Sequence, residues 1–517
     1  METLMNLVQF SDAETMSKEK RRLLLGGKGS SLVEMSTDLG LSVPPGFIIT
    51  TEAFQRFYRE KDLSFLKNDI REAMSRIELE TGRTFGGINN PLLVSVRSGA
   101  PVSMPGMMDT ILNLGLNDQT TQGLAAKTNN AFALQCRERF ISMFDDIVIQ
   151  KGKEVITEAP SEVWEQLFLA IKAVFESWDS PRAQLYREVE NIPDHLGTAV
   201  TIQAMVFGNT GMQSGTGVLF TRNPSTGADE LFGDYLPDAQ GEDVVSGTHQ
   251  TLGLEEMERT VPKAFSELVE VAQRLEIVTT DMCDIEFTVE EGKLWILQSR
   301  IGKRTPVAAI RIAVEMAMDP NFPLQREETM HRIKPEQLQL SKEIDQISES
   351  SLAIAKGLGA SPGVATGQVV FTAEAAIEAS DEGISVILVR PETSPADVHG
   401  MAVAQGIITA TGGLASHAAV VARGWGIPAV VGVANLAIFD SSATFREKTV
   451  IEGETVTFDG TTGEIFFGDT QVDTQIVVPA VEVFLTWVEE ILKENQVSLS
   501  PDASDTERLL SVHGLNI

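Results

Sequence analysis

The sequence predicts a multidomain chain in which an α+β region is followed by a compact α/β domain and a C-terminal amphipathic helix. Three observations predict it. At 517 residues and 43% hydrophobic content, the chain exceeds what one hydrophobic core organises. Up to about residue 340, short β-rich runs (PLLVSVRSG, AVTIQAMVF, KLWILQSR) alternate with helical stretches such as SEVWEQLFLAIKAVFESW. Beyond that point the strands SVILVR, GIITAT and AVVG follow one another between Gly and Pro, within a segment running from GLGASPGVATGQVVF to TVTFDGTTGEIFF.

These segments set the expected boundaries. Residues 1–340 form the α+β region, and the polar stretch LSKEIDQISESS opens a linker over 341–352. The α/β domain occupies 353–470 and a helical tail 471–517. In the tail, Val481, Phe484, Leu485, Val488, Ile491 and Leu492 recur at helical spacing on one face. That face either packs against the chain's own domains or docks another chain. No internal repeat or low-complexity block interrupts the sequence.

Charge narrows the function classes. The 41 basic and 73 acidic side chains give a formal charge of −32, which repels phosphate backbones and anionic membrane surfaces. Nucleic acid and membrane are therefore not expected partners. A bound nucleotide is not excluded, because a local cluster of Arg, Lys and Mg²⁺ reverses the field inside one cleft. Cys136 and Cys283 cannot build a disulfide framework, the opening METLMNLVQFSDAE lacks a secretory pattern, and no apolar run reaches membrane-spanning length. The expected address is the cytoplasm, with homo-oligomerisation left open.

The segment GIITATGGLASHAAVVARGWGIPAVVG reads as strand, Gly-Gly turn, helix, Gly turn, strand, with His417 in the first helical turn. Free backbone N–H groups and the helix dipole there suit a phosphoryl group. Gly412, Gly413, Ala415, Ser416, Ala418 and Ala419 leave room for a bulky donor. A neutral imidazole offers one nitrogen as nucleophile while the other makes a hydrogen bond. Taken alone, a histidine beside small residues is more often a capping or core residue.

Two more segments suit a nucleotide. In LLLGGKGSSLVEM, Lys28 is expected in a Gly-rich turn, where amides and an ammonium approach phosphate oxygens. Arg97 is expected at a strand end in PLLVSVRSGAP. In CDIEFTVEEGKLWILQSRIGKRT, two strands joined by a Glu-Glu-Gly turn put Asp284 and Glu286 on one face of the first and Gln298 and Arg300 on one face of the second. Such a face can hold Mg²⁺ and a triphosphate, or be a solvated hairpin face. Cys283, Ile285, Phe287, Leu294, Ile296 and Leu297 favour a buried sheet, where unpaired carboxylates are costly.

The histidine segment closely resembles that of the pyruvate phosphate dikinase and phosphoenolpyruvate synthase family through Gly412, Gly413, Ser416, His417, Ala418, Ala419, Arg423, Gly426, Ile427 and Pro428. Position 415 departs, with Ala where the family carries Thr. The resemblance runs from about residue 20 to 470, with a shortened insertion between Val148 and Trp164. It implies an ATP-grasp region followed by a swivelling phosphohistidine domain, with hinges at about 340–355 and beyond 470. It implies that Lys28, Arg97 and Arg300 meet the phosphates, with Arg139 either a second phosphate arginine or a helix-face charge. Gln203 to Met205 would line the adenine pocket, Glu242 and Asp243 would serve ribose or Mg²⁺, and Asp284, Glu286 and Gln298 would complete the metal and triphosphate site. The SGTG run and Arg222 would cover phosphates or shape a core loop. In the implied reaction His417 takes the β-phosphoryl of ATP, and the dikinase-like wording SVRSGAPVSMPGMMDT favours inorganic phosphate as γ acceptor. The family's phosphoenolpyruvate/pyruvate barrel needs about 250 residues, more than follow the histidine domain. The expected acceptor is therefore a separate barrel protein or a small molecule bound in trans. The rival is a catalytically idle ATP-binding regulatory module, with the Trp487 helix docking a partner.

Overall fold

The computed structural model describes residues 5–515 apart from 15, 103, 105–107, 151–155, 190, 246–250, 341–342, 348–351, 395–396, 415, 471, 477–478 and 501. It forms two compact units, Met1–Gly215 with Phe287–Arg300, and Thr216–Glu286 with Ile301–Ile517. Residues 216–286 thus group with the C-terminal part rather than with the whole of 1–340. The hairpin strand Cys283–Glu290 runs from the second unit into the first.

The first unit is built on a five-stranded sheet in the order Leu7–Gln9, Gly46–Ile49, Ala199–Ala204, Val94–Gly99, Thr110–Leu114, antiparallel throughout. Ala199–Ala204 is buried along its whole length, and helices cover the sheet. Phe54 and Phe57 of helix Thr51–Glu60 each lie 5.4 Å, centroid to centroid, from Phe175 of helix Val163–Glu176. Full burial of one such ring is worth about 1.5–3 kcal/mol. The helix Lys18–Val33 breaks at Gly26, where φ is 72°. A Cβ there would stand 1.7 Å from the carbonyl oxygen of Gly99, so this position requires glycine. The expected Gly-rich turn is therefore a break between two helical pieces, and Lys28 sits in the first turn of the second.

In the second unit an eight-stranded sheet runs in the order Ala355–Lys356, Glu464–Phe467, Thr455–Asp459, Val364–Val370, Val386–Arg390, Gly406–Thr409, Ala429–Val431, Leu358–Ser361. Val364–Val370 through Ala429–Val431 pair in parallel. Parallel strands covered on both faces read as continuous apolar runs. Accordingly Ile387 and Val389 enter one core, with Phe445 and Phe458, while Val386 and Leu388 enter another, with Ala418, Ala419 and Ala422.

The flanks of this domain are structured. Within the expected linker, Glu343–Ile347 is a strand and pairs antiparallel with Val472–Ile476, from Glu343↔Ile476 to Ile347↔Val472. The other residues of 341–351 lie outside the described set. Helices Pro479–Glu494 and Asp505–His513 share one core with Pro306–Met318, Arg326–Arg332 and Pro335–Leu340. Val481, Phe484, Val488, Ile491 and Leu492 are buried there, and Leu485 and Trp487 partly so. Arg326 adds contacts of 3.0 and 2.9 Å to Glu490 and Glu494. The apolar face of the tail helix therefore packs on its own chain, and the docking reading of that face is corrected. Among the described residues no helix is long and apolar enough to cross a membrane.

Candidate active site

In a parallel α/β sheet, the loops that follow the strands gather at their carboxyl ends, where such folds place ligands. Val386–Arg390 and Gly406–Thr409 are neighbours, with Arg390 opposite Thr409. Their loops consequently emerge side by side and are tied together. Ala410 N donates to Arg390 O at 3.1 Å, and Thr411 donates to Pro391 O through its amide at 2.9 Å and its hydroxyl at 3.0 Å.

Asp397 shapes the first loop. Its Oδ2 accepts from Ser394 N at 2.8 Å and Ser394 Oγ at 3.0 Å, and its Oδ1 stands 3.1 Å from Arg390 Nε. In the second loop Gly412 has φ 105°, a conformation the loop needs. Ser416 ends that loop as the helix N-cap, its Oγ accepting from Ala419 N at 3.5 Å. His417 then opens helix His417–Trp425. Ala415, where the family carries Thr, lies outside the described residues.

The loops bring His417 Nδ1 to 3.1 Å from Thr393 Oγ1. Nε2 is buried with no hydrogen-bond partner. His417 lines a narrow recess shared with Glu392, Thr393, Thr409, Thr411 and Gly412. Burial holds the imidazole pKa below its ordinary value, and the nearby Asp397 carboxylate opposes that shift in part. The ring is therefore neutral near pH 7. With Nδ1–H donating to Thr393, Nε2 carries the lone pair.

Arg423, on the same helix, is fully buried. Its Nη2 donates to Leu414 O at 2.6 Å and its Nη1 to Ala360 O at 3.1 Å, so it braces the loop three residues before the histidine. Burial lowers its pKa to about 10, against the opposing pull of Asp284 and Asp234, and it stays charged at neutral pH.

The remaining expected residues fall in both units. Lys28, Arg97, Arg139, Gln203, Met205, Gln298 and Arg300 belong to the first. Arg97 is not at a strand end but within Val94–Gly99, opposite Thr201 and Thr110, with Nε buried and lacking a hydrogen bond. Arg139 is half-buried on helix Asn130–Phe144. Gln203 is 2% exposed and its Nε2 donates to Pro44 O at 3.0 Å, so its amide nitrogen is engaged in holding the fold. Met205 lies in the core; its N donates to Leu93 O at 2.9 Å and its O accepts from Arg83 at 3.2 Å. Gln298 is buried and Arg300 half-buried on strand Lys293–Ile301, which Ser31 joins by donating to Ser299 O at 2.6 Å.

Asp243, Asp284 and Glu286 belong to the second unit. Asp243 is buried and its Oδ2 accepts from Gln240 N at 2.9 Å; the side chain of Glu242 lies outside the described residues. Asp284 is 3% exposed and Glu286 half-buried, two apart on one strand and so on one face. Among the described residues no cluster of three or more His, Cys, Asp or Glu could hold a metal. Two carboxylates nevertheless suit Mg²⁺, which keeps water and phosphate oxygens among its ligands. Arg222 is buried and ion-paired with Glu276 at 3.1 Å and Glu315 at 3.3 Å, as a core-loop residue would be.

Sequence reasoning missed Thr393 and Asp397. The available signal was Ser394-x-x-Asp397, a self-bonding turn directly after a buried strand.

A histidine with one unpartnered ring nitrogen stands at the carboxyl edge of parallel strands, and residues 383–463 match the mobile domain of PEP-utilising enzymes. Residues 22–81 and 64–261 match the AMP/ATP-binding domain of pyruvate phosphate dikinase. Residues 22–261 and 383–463 are thus similar to the nucleotide-binding and mobile domains of pyruvate phosphate dikinase and related PEP-utilising enzymes. The chain is 44% identical to pyruvate, phosphate dikinase 1, chloroplastic, of Arabidopsis thaliana, over 93% of this chain and 55% of that protein. It is 42% identical to pyruvate, phosphate dikinase 1, chloroplastic, of Oryza sativa subsp. japonica, over 100% and 59%. It is 43% identical to pyruvate, phosphate dikinase 2 of Zea mays, over 94% and 60%. The chain thus spans a little over half the length of these relatives.

Proposed function

We propose that the chain is a dikinase-type phosphotransferase in which Nε2 of His417 takes the β-phosphoryl group of ATP. The observation that carries this reading is the histidine itself: Nδ1 bonded to Thr393, Nε2 without a partner, and a pKa lowered by burial. As the Nε2–P bond forms, the bridging P–O bond between the α and β phosphorus atoms breaks and AMP leaves with the electron pair. Inorganic phosphate then attacks the γ phosphorus, and the bridging P–O bond between the β and γ phosphorus atoms breaks. Its electron pair stays on the β-phosphoryl group, and pyrophosphate leaves phospho-His417 behind. The ring gains positive charge in the first step, which the Nδ1–H bond to Thr393 and the Asp397 carboxylate stabilise. Amides of the first turn of helix His417–Trp425 favour the added phosphoryl oxygens. Lys28, Arg97, Arg139, Gln298 and Arg300 are assigned to the phosphates of ATP, and Asp284 and Glu286 to Mg²⁺. Bound there, Mg²⁺ supplies charge that offsets the phosphate oxygens. Gln203 and Met205 are assigned to the wall of the adenine pocket, through packing rather than through polar contacts. Phospho-His417 then serves pyruvate or another acceptor, on a separate barrel protein or as a small molecule bound in trans.

ATP labelled at the β or the γ position tests this reading. With inorganic phosphate in excess, the expected result is acid-labile protein label from the β position only, with AMP formed and the label abolished in His417→Ala. Label from the γ position defeats the dikinase reading, and ATP bound without any label defeats the enzyme.

A further inference from the structure

Gly412 and Gly413 are adjacent, yet they are glycines for different reasons. Gly412 has φ 105°, which its own loop demands. Gly413 has no such φ, so its backbone would accept a side chain. What excludes one is a neighbour: a Cβ on Gly413 would stand 2.6 Å from Thr251 Oγ1 and 2.7 Å from Asp234 Oδ2. Neither atom swings away easily. Asp234 is 4% exposed, and Thr251 Oγ1 donates to its Oδ1 at 2.9 Å. Further contacts join the same two parts of the second unit. Arg423 lies with its guanidinium carbon 5.2 Å from the centroid of Phe220, and Ser225 Oγ donates to Ala360 O at 3.3 Å, the carbonyl that Arg423 also holds. The buried carboxylates of Asp234 and Asp284 favour the charge on Arg423.

We propose that Thr251 and Asp234 form a seat for the phosphohistidine loop, with Phe220 and Ser225 beneath Arg423 and Ala360, and that this seat sets how His417 is presented. These are positioning residues: they touch the loop and not the reacting atoms. The idea rests on the phosphotransfer reading above. Its physical basis is that a close backbone approach at Gly413 and a charged brace at Arg423 together allow one docked register, because sliding the loop would drive Gly413 into Asp234 or strip Arg423 of its counter-charges.

The test compares two phosphoryl donors. Phosphoramidate is a small donor that needs no bound nucleotide, whereas transfer from ATP needs the loop delivered correctly. Thr251→Leu, which removes the hydroxyl and crowds the seat with a bulkier side chain, should slow labelling from ATP roughly ten- to a hundredfold, the scale of a small misplacement. Labelling of the same variant by phosphoramidate should stay within about twofold of the parent chain. Gly413→Ala should slow ATP labelling comparably, and adding Thr251→Ala to it should recover part of the rate, a coupling that independent sites lack. Equal slowing with both donors, or no slowing with ATP, overturns the seat. If the parent chain takes label from phosphoramidate but never from ATP, the phosphotransfer reading fails, and amide exchange then judges the seat. Gly413→Ala should raise exchange in Phe232–Pro237, and unchanged protection there overturns the proposal.

Discussion

The loops after Val386–Arg390 and Gly406–Thr409 and the paired strands Val94–Gly99 and Ala199–Ala204 both carry candidate residues, but they use them differently. At the parallel strand ends the backbone has left its ladder, so side chains from distant parts of the sequence meet, and one ring nitrogen of His417 keeps no partner. In the antiparallel sheet of the first unit the ladder is continuous, and Gln203 is drawn into holding it by its bond to Pro44 O at 3.0 Å. Arg97 is the exception on that sheet: half-buried in mid-strand, with Nε lacking a hydrogen bond. A strand interior is rigid, and a cation placed there is well held for an anionic ligand. The lesson is that residue type alone does not separate a ligand group from a brace; the engagement of its polar atoms does.

Beyond the histidine itself, the largest effect should come from Arg97. If its guanidinium meets phosphate, Arg97→Met should cut the rate of labelling from ATP by roughly a hundred- to a thousandfold, the scale of losing one preorganised donor. Melting of the first unit should change little. Label formation at the parental rate would place Arg97 with Gln203 as a structural residue and erase the contrast between them.

Thr393 comes next, because it acts through His417. Thr393→Val removes the acceptor of Nδ1–H and should slow labelling about tenfold, with Thr393→Ser restoring most of the rate. The pH dependence sharpens this. Burial holds the folded pKa of His417 below its unfolded value, so labelling should persist as pH falls through the ordinary histidine range and fade only below it. The same sign applies to stability. The contribution of the neutral buried ring is fully present above the unfolded pKa, about 6.5, and is lost as pH falls from there towards the folded pKa. Urea titrations of the parent chain and His417→Gln should therefore diverge on that acidic interval and run parallel above it. Parallel behaviour at all pH values would mean that the ring is not buried in solution.

Much of this was legible in the sequence. The buried strands of the histidine domain, the Gly-Gly turn and the helix start at His417 follow from local chemistry, since apolar runs and glycines act over a few residues. Partnership was not legible. Thr393 meets His417 only because two strands are neighbours in a parallel sheet, and Asp234 meets Gly413 only through tertiary packing. The same limit misplaced Lys28 and Arg97. A glycine inside a helix break reads as a turn, and nothing near Arg97 marks the strand as continuing through it. For the tail, helical periodicity identified the apolar face of Pro479–Glu494 but not what covers it.

The smallest effect on activity should fall at Gln203. Its amide nitrogen is engaged by Pro44 O and its backbone by Gly46 and Ser95, so substitution acts on the sheet. Gln203→Met keeps the volume but leaves a buried carbonyl without its donor, a change of about 1–3 kcal/mol. Chemical denaturation should register that loss in the first unit. At a temperature where the variant is folded, the KM for ATP should stay within about threefold, because loss of a brace is not loss of a ligand contact. A much larger KM with unaltered denaturation would give this side chain a polar contact in the adenine pocket. It would also show that the bond to Pro44 gives way when nucleotide arrives, in which case a polar atom's engagement in the unliganded chain would be a poor guide to its task.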